Sequence, residues 1–415
     1  MTRRRVVVTG MGMVSPIGHS VETSWQAAIA GQSGIRINEG FDTEAFGVKI
    51  CGNVVDFDIS EYMNPKEARR MDGFIQLGVA AATQAIKDAG LTAHPDDADR
   101  IGVAIGSGIG GIETIENTHA TLVKSGPRRV SPFFIPGVVI NMISGNVSIE
   151  WGFKGPNFAV VTACTTGTHN IGFGARMIQY GEADVMVVGG AESATSPITV
   201  AGFNSMKALS TRNDDPAAAS RPWDADRDGF VLGEGGGCLI LEELEHAKAR
   251  GAKIYAEVVG AGLSADAYHM TAPHPDGEGA ISVMKNCLKD SNINPEDIDA
   301  INMHGTSTPL GDKAEAKAIK EVFGNHAYNI NINSTKSMTG HLLGAAGAIE
   351  AISCILSIEH GIVPPTINHF NDDPEIDSKL NFTFNKAQKR DVNYAMSNTF
   401  GFGGHNACVV LKKFD

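Results

Sequence analysis

A chain of 415 residues that is 42% hydrophobic is long enough to bury a large core or two, which excludes both a disordered tail and a small stapled scaffold. Its 34 basic against 47 acidic residues leave a net charge of -13, so no broad attraction to nucleic acid or to an anionic membrane is expected, and any acidic partner has to meet a local basic patch. Six cysteines (Cys51, Cys164, Cys238, Cys287, Cys354, Cys408) are widely spaced, with no Cys-x-x-Cys pair and no zinc-ligand spacing, which fits a reduced, cytoplasmic protein without a metal site.

In chain order, short β-branched runs alternate with longer Ala-rich periodic stretches, the pattern of an α/β protein with largely parallel, buried strands. Arg3 to Arg5 ahead of Val6 to Val8 imitates a signal peptide, but Gly10, Gly12 and Pro16 cut the apolar run short, and a first buried strand at Val6 to Thr9 is the better reading. The Gly10-Met11-Gly12 step lacks the third glycine of a dinucleotide fingerprint, so no nucleotide cofactor is expected. Further strands are predicted at Ile101 to Ile105, Phe158 to Thr162, Val185 to Val188, Ile254 to Val259, Ala300 to His304 and Cys408 to Leu411. Helices are predicted at Phe74 to Ala89, Thr166 to Tyr180, Ala314 to Phe323 and Leu342 to Ile358, with Gly90, Gly181 and Gly251 placed to close helical patterns. The last of these helices is apolar, but it is Ala/Gly-rich and carries Glu350 in its middle, which suits a core helix and not a membrane span. Asn213 to Gly237 is too long for a plain connection and marks a functional loop. A strand running into a small-residue helix occurs at Phe158 to Cys164 and again at Ile330 to His341, which suggests a duplicated chain with halves 1–251 and 252–415 packed as one body.

Four stretches carry chemistry. In Thr162-Ala163-Cys164-Thr165-Thr166-Gly167 a cysteine sits at a strand-to-helix elbow, where helix amides favour a thiolate; a lone cysteine otherwise reads as a small buried apolar residue. His304 ends a strand and enters the turn Gly305-Thr306-Ser307-Thr308, the end at which α/β proteins place ligands, and Thr306 and Thr308 point the same way if that turn is extended. Asp312 reads as an N-cap, with Glu315 completing a capping box. Lys336-Ser-Met-Thr-Gly-His341 opens a helix whose dipole disfavours an imidazolium at His341, and Lys336 is expected to pair with Glu350 or Glu315. Phe400-Gly401-Phe402-Gly403-Gly404 is a glycine-dense loop suited to an oxyanion hole or a gate.

Taken in that order, Thr-Ala-Cys164, His304-Gly-Thr-Ser-Thr-Pro, Lys336-x-x-x-Gly-His341 and Gly401-Phe-Gly-Gly, together with Arg221-Pro-Trp223-Asp224 and Arg227-Asp-Gly-Phe230, resemble the β-ketoacyl synthases over essentially the whole chain, and most of all the elongating ones that work on acyl carrier protein. The resemblance implies a thiolase-like α/β fold, two similar halves in a layered α-β-α-β-α body. It implies that Cys164 carries the acyl chain as a thioester, that the amides of Cys164 and Phe402 hold the oxyanion, and that His304 and His341 stabilise the malonyl-derived enolate with Lys336 supporting the site. By the same resemblance Thr306 and Thr308 would contact a phosphopantetheine arm brought by acyl carrier protein, with no cofactor bound by the chain itself. Ile109, Phe203, Phe230, Phe400 and Phe402 would line or gate the acyl pocket, and Phe134 would lie near the pocket of the partner in a homodimer. The carrier is acidic in this family, which makes Lys66 with Arg69 and Arg70, Lys124 with Arg128 and Arg129, and Lys207 the docking candidates. Two residues depart from the family pattern: His405 follows Gly-Phe-Gly-Gly where threonine is usual, which bears on the gate, and Met303 precedes His304 where alanine is usual, which bears on the space behind it.

Other functions remain open from the residues alone. A Cys/His hydrolase or thioesterase would use the same nucleophile but leave the second histidine and the lysine without roles. A non-catalytic chain-length subunit would not need Cys164, and a polyketide ketosynthase would need every group named above.

Overall fold

The computed structural model describes residues 3–414. Ten strands form one mixed sheet: β1 (Val6–Val14), β2 (Ile101–Gly106), β3 (Asn157–Phe158), β4 (Val185–Glu192), β5 (Gly235–Glu243), β6 (Ala256–Ala265), β7 (Ala300–Asn302), β8 (Asn331–Asn333), β9 (Tyr394–Gly401) and β10 (His405–Lys413). Their order is β8-β7-β9-β10-β6-β1-β5-β4-β2-β3. All strands up to residue 243 lie on one side of the β6–β1 seam and all those from residue 256 on the other. That seam is thin, holding only Val7 against Glu257 and Val8 against Ala256.

The expectation of largely parallel strands is corrected. Only the two outer groups, β8-β7-β9 and β4-β2-β3, are parallel, and the strands between them pair antiparallel. The apolar runs arise because both faces are covered, and two-sided burial by itself leaves strand direction open. Helix α1 (Gly73–Asp88) covers the outer face of β1, β5 and β4, and α5 (Glu278–Ser291) with α6 (Pro309–Phe323) covers the outer side of the second half. Between the half-sheets lie α4 (Thr166–Gln179) and α7 (Ala346–His360), each touching strands of both halves. The result is the layered α-β-α-β-α arrangement. The apolar stretch Leu343–His360 is long enough to cross a membrane, but it is 89% buried in that central layer. Helix α3 (Met142–Trp151) packs on β2 and the edge strand β3, while α2 (Ile112–Ser125) packs on the short helical turn Phe134–Val138, which in turn touches α3.

Two further differences from the sequence-based expectation have clear causes. β1 runs on to Val14, through Gly10 and Gly12, because the missing side chains let α1 press its backbone onto the strand; a Cβ at Gly12 would stand 2.0 Å from the Ala81 carbonyl oxygen. Residues 159–162 leave the sheet after Phe158. Asn170 takes over the backbone of Val160, accepting from its N–H at 3.0 Å and donating to its carbonyl at 3.1 Å, while Thr166 Oγ1 accepts from Thr162 N–H at 3.0 Å. Gly90, Gly181 and Gly251 adopt φ of 66°, 81° and 68°, the left-handed closure read from their position.

Candidate active site

Cys164 occupies a 3-10 turn, Ala163–Thr165, immediately before α4. Ala163 carries φ of +53°, a conformation costly for a residue with a Cβ, so the elbow is held under local strain that aims the next side chain. The glycine-dense 400–404 segment packs directly on this turn: a Cβ at Gly401 would lie 2.9 Å from the Thr162 carbonyl oxygen and 3.2 Å from the Cys164 nitrogen. Burial pushes the Cys164 thiol up to about 12; the Lys336 ammonium and the N–H groups of Phe402 and Cys164 oppose that shift, and the Glu192 charge adds to it. The thiolate expected from helix amides is therefore not the resting form. Desolvation outweighs the dipole at a site this deep.

His304 lies in the turn beyond β7, which ends at Asn302 and not at His304. The turn is held by Glu315, whose two carboxylate oxygens accept from the N–H groups of His304 and Gly305, both at 2.9 Å. This corrects the capping-box reading. Pro309 at the first position starts α6 five residues before the expected Ala314, with Thr308 at the N-cap, so Asp312 and Glu315 fall inside the helix. Asp312 instead accepts from Trp223 N–H at 3.0 Å and Ser307 N–H at 3.2 Å, tying to the histidine turn the loop expected at 213–237, which ends where β5 begins at Gly235. Thr306 Oγ1 and Thr308 Oγ1 stand 3.1 Å apart, and both residues line a cavity shared with Cys164 and His304.

His341 is not the first residue of a helix. It bridges to the loop that precedes β5, donating its N–H to the Val231 carbonyl at 2.7 Å and accepting from Gly233 N–H at 2.9 Å through its carbonyl, and a 3-10 turn, Leu343–Ala345, intervenes before α7. Its imidazole is held well below the ordinary histidine value by burial first and the Lys336 ammonium second, so the helix dipole is not the cause. His304 is depressed in the same way, with His341 a further contribution. The two rings meet edge to face, 5.2 Å between centroids, and among the described residues neither imidazole hydrogen-bonds to any group of the chain.

Lys336 is buried behind them and pairs with Glu350, not with Glu315. Glu315 is committed to the His304 turn and cannot serve both.

One cavity of about 600 Å³ gathers Cys164, His304, His341, Thr306, Thr308, Ile109, Phe203, Phe230, Phe400 and Phe402, with Lys207 at its rim. Phe230 stacks edge-on to His341 at 5.4 Å, Phe203 on Phe230 at 5.3 Å, and Phe400 lies 5.6 Å from His304. Lys336 and Glu350 stand behind the lining, and Phe134 is outside it. Lys66, Arg69, Arg70, Lys124, Arg128 and Arg129 are exposed on the surface. Met303 is fully buried in the second-half core with Trp223 and Phe382, so it does not line the cavity. His405 is exposed at the start of β10, its ring over Gly403, whose N–H donates to the Met270 carbonyl at 2.7 Å. Sequence reasoning missed Glu192, the buried carboxylate whose charge acts on Cys164, because nothing local distinguishes a glutamate that ends a Val/Gly strand.

Comparisons with known proteins agree along the whole chain. The family model described as "Beta-ketoacyl synthase, N-terminal domain" matches residues 3–247, and that described as "Beta-ketoacyl synthase, C-terminal domain" matches residues 255–370. The 3-oxoacyl-[acyl-carrier-protein] synthase 2 of Vibrio cholerae is 57% identical over 415 residues, covering 100% of both chains, and that of Staphylococcus aureus is 53% identical over 412 residues, covering 99% of both. Among solved structures, a type II PKS ketosynthase in complex with its acyl-carrier protein and bound to the hexaketide superposes with a TM-score of 0.92 at 34% identity over 100% of both chains. A β-ketoacyl synthase from Burkholderia phymatum gives 0.92 at 36% identity over 99% of this chain and 100% of that one. With two family models spanning most of its length, and a cysteine and two histidines meeting in one cavity, the chain belongs to the β-ketoacyl synthase family.

Proposed function

We propose that the chain is an elongating β-ketoacyl-acyl-carrier-protein synthase of the synthase II type, adding two carbons to a fatty acyl chain by decarboxylative Claisen condensation. The observation that carries this reading is the pair of unpartnered, neutral imidazoles facing each other in the cavity that holds Cys164. A hydrolase needs one base; two neutral donors suit one carbonyl oxygen that becomes an enolate.

In the first half-reaction the Cys164 sulfur attacks the carbonyl of an acyl-carrier thioester. The oxyanion forms against the amides of Cys164 and Phe402, and the carrier thiol leaves with the proton that Cys164 gives up. The Lys336 ammonium favours the transient thiolate, offsetting part of the burial that disfavours it. In the second, malonyl-carrier protein enters with its thioester carbonyl between His304 and His341. Carbon dioxide leaves with cleavage of its carbon–carbon bond, the freed electron pair is held as the enolate, and the enolate carbon attacks the Cys164 thioester. The β-ketoacyl product remains on the carrier, and Cys164 departs as a thiolate that takes a proton from water.

Thr306 and Thr308 stand where they can bind the amides of the phosphopantetheine arm, which the carrier brings, so the reaction calls for no further cofactor. The basic groups around Lys66, Lys124 and Lys207 would receive an acidic carrier. All six cysteines are buried and free, consistent with work in the cytoplasm.

An uncovered edge supports a homodimer. Among the described residues strand β3 pairs only with β2, helix α2 buries none of its residues and leaves Ile115, Leu122 and Val123 exposed, and Ile149 on α3 is 75% exposed. Phe134 lies on the same flank. Sedimentation at the mass of a single chain would end this reading.

The function is tested by giving wild-type protein an acyl-carrier thioester and malonyl-carrier protein and following carrier masses. A β-ketoacyl carrier longer by two carbons is expected, at a rate that falls with added salt. Release of free fatty acid without malonyl donor would instead identify a thioesterase. Repeated condensation without an intervening reduction would identify a polyketide ketosynthase.

A further inference from the structure

Glu192, at the end of β4, is completely buried, and none of the motifs above includes it. Its carboxylate takes four hydrogen bonds. Ser107 Oγ donates to Oε1 at 2.6 Å and Ile109 N–H at 3.1 Å, while Gly108 N–H donates to Oε2 at 2.7 Å and Gly344 N–H at 2.9 Å.

These donors belong to two segments far apart in sequence. Residues 107–109 form the turn after β2, which puts Ile109 in the cavity lining; residues 343–345 form the turn after His341, which puts Leu343 there. The two turns touch only because both carry glycine: a Cβ at Gly344 would lie 2.3 Å from Gly108 N and 2.9 Å from Glu192 Oε2, and one at Gly108 would lie 2.8 Å from Oε2. Ile109, Leu343, Phe203, Phe230 and Cys164 share one apolar cluster, so the clamp sits directly behind the wall that an acyl chain on Cys164 meets.

We propose that Glu192 is a positioning residue that clamps Ile109 to Leu343 and thereby sets the shape of the acyl channel, discriminating acyl chains by length. The inference rests on the reading of this cavity as the acyl site. A longer chain covers more of that wall, so its transfer to Cys164 depends more on the wall being held. Glu192 accepts no hydrogen bond from His304 or His341, so malonyl decarboxylation does not draw on the clamp.

Glutamine at this position tests the idea sharply. It keeps one acceptor oxygen, but its NH₂ then faces either the N–H groups of Gly108 and Gly344, or the N–H of Ile109 beside a Ser107 hydroxyl that has to turn to accept, so at least one of the four hydrogen bonds is lost and donors oppose each other. With Glu192→Gln in the full chain, the rate of Cys164 acylation, followed by intact mass, is expected to fall roughly tenfold more for hexadecanoyl-carrier than for hexanoyl-carrier protein. Decarboxylation of malonyl-carrier protein should stay within about twofold of wild type, an effect no larger than ordinary mutational scatter. Ser107→Ala removes one donor and leaves the carboxylate; it should shift the length profile in the same direction by less, and it carries the test if the first variant does not fold. Amide hydrogen exchange without substrate should quicken in both 107–110 and 343–346. Equal losses at every chain length together with lost decarboxylation, an unchanged length profile, or exchange that quickens in neither segment would each overturn the proposal. If wild-type Cys164 accepts no acyl group, the acyl-site reading fails and takes the channel role with it, whereas exchange still reports whether the clamp exists.

Discussion

Alanine in place of Cys164 is expected to abolish the acyl-enzyme and lower condensation by at least about a thousandfold, because no other thiol reaches the cavity and no second covalent route exists. Decarboxylation of malonyl-carrier protein should survive. In the proposed mechanism it needs only the thioester carbonyl held by His304 and His341, and neither ring hydrogen-bonds to Cys164 or to anything else in the chain among the described residues. The variant also removes a buried thiol that burial already keeps protonated, so its fold should be little affected. Intact mass after incubation with acyl-carrier protein, set beside carbon dioxide release from malonyl-carrier protein, separates the two half-reactions. Loss of both activities together would mean that Cys164 organises the site, and retention of condensation would remove it from the mechanism.

Lys336→Met is expected to combine a large loss of activity with a large loss of stability, and a double variant tells the two apart. Lys336 and Glu350 are a fully buried pair, and removing one partner strands the other charge at a cost of about 3–5 kcal/mol, a Tm drop of roughly 5 °C in a chain of this size. The pH dependence has a definite sign. Burial lifts Glu350 from an ordinary 4.5 to about 7, with Lys336 pulling it back; without the lysine it rises further. The folded variant then keeps a proton that the unfolded chain releases near pH 4.5, so the stability deficit should be smallest in acid and widen as pH rises through 7. Lys336→Met with Glu350→Leu replaces the pair by apolar groups and should recover stability to within about 1 kcal/mol, with a flat pH profile. Condensation should not recover, since the cation that depresses both histidines and favours the Cys164 thiolate is still missing. Calorimetry between pH 4 and 9, alongside the condensation rate, decides the matter. Recovery of activity with stability would make the lysine a fold element only.

The parts of the site that were legible in the residues share a physical property: each is a local device. Cys164 at a strand-to-helix elbow, His304 just past a strand, paired threonines in an extended turn and a glycine-dense loop are all written within a few residues of the chain, and the structure brings them to one cavity. The same holds for helix closure at Gly90, Gly181 and Gly251, where a left-handed residue is a local requirement. The resemblance to a family joined these pieces before any contact was known.

What the tertiary structure alone decided involves partners distant in sequence. Whether Glu315 caps its own helix or holds the His304 turn depended on where α6 begins, and Pro309 moved that start. Lys336 is 14 residues from Glu350 and met it only because α7 passes behind the cavity. Glu192 faces donors 85 and 152 residues away, which no local pattern reports. The protonation of Cys164 and of both histidines turned on depth of burial, and desolvation at depth outweighs the helix dipoles that a sequence reveals. Composition and motif thus determine which chemical groups this protein has and on which kind of turn they stand, because those are short-range properties of the chain. Packing decides which charges face each other and which protons they hold, because electrostatics in a dry interior depends on neighbours that only the folded chain brings together.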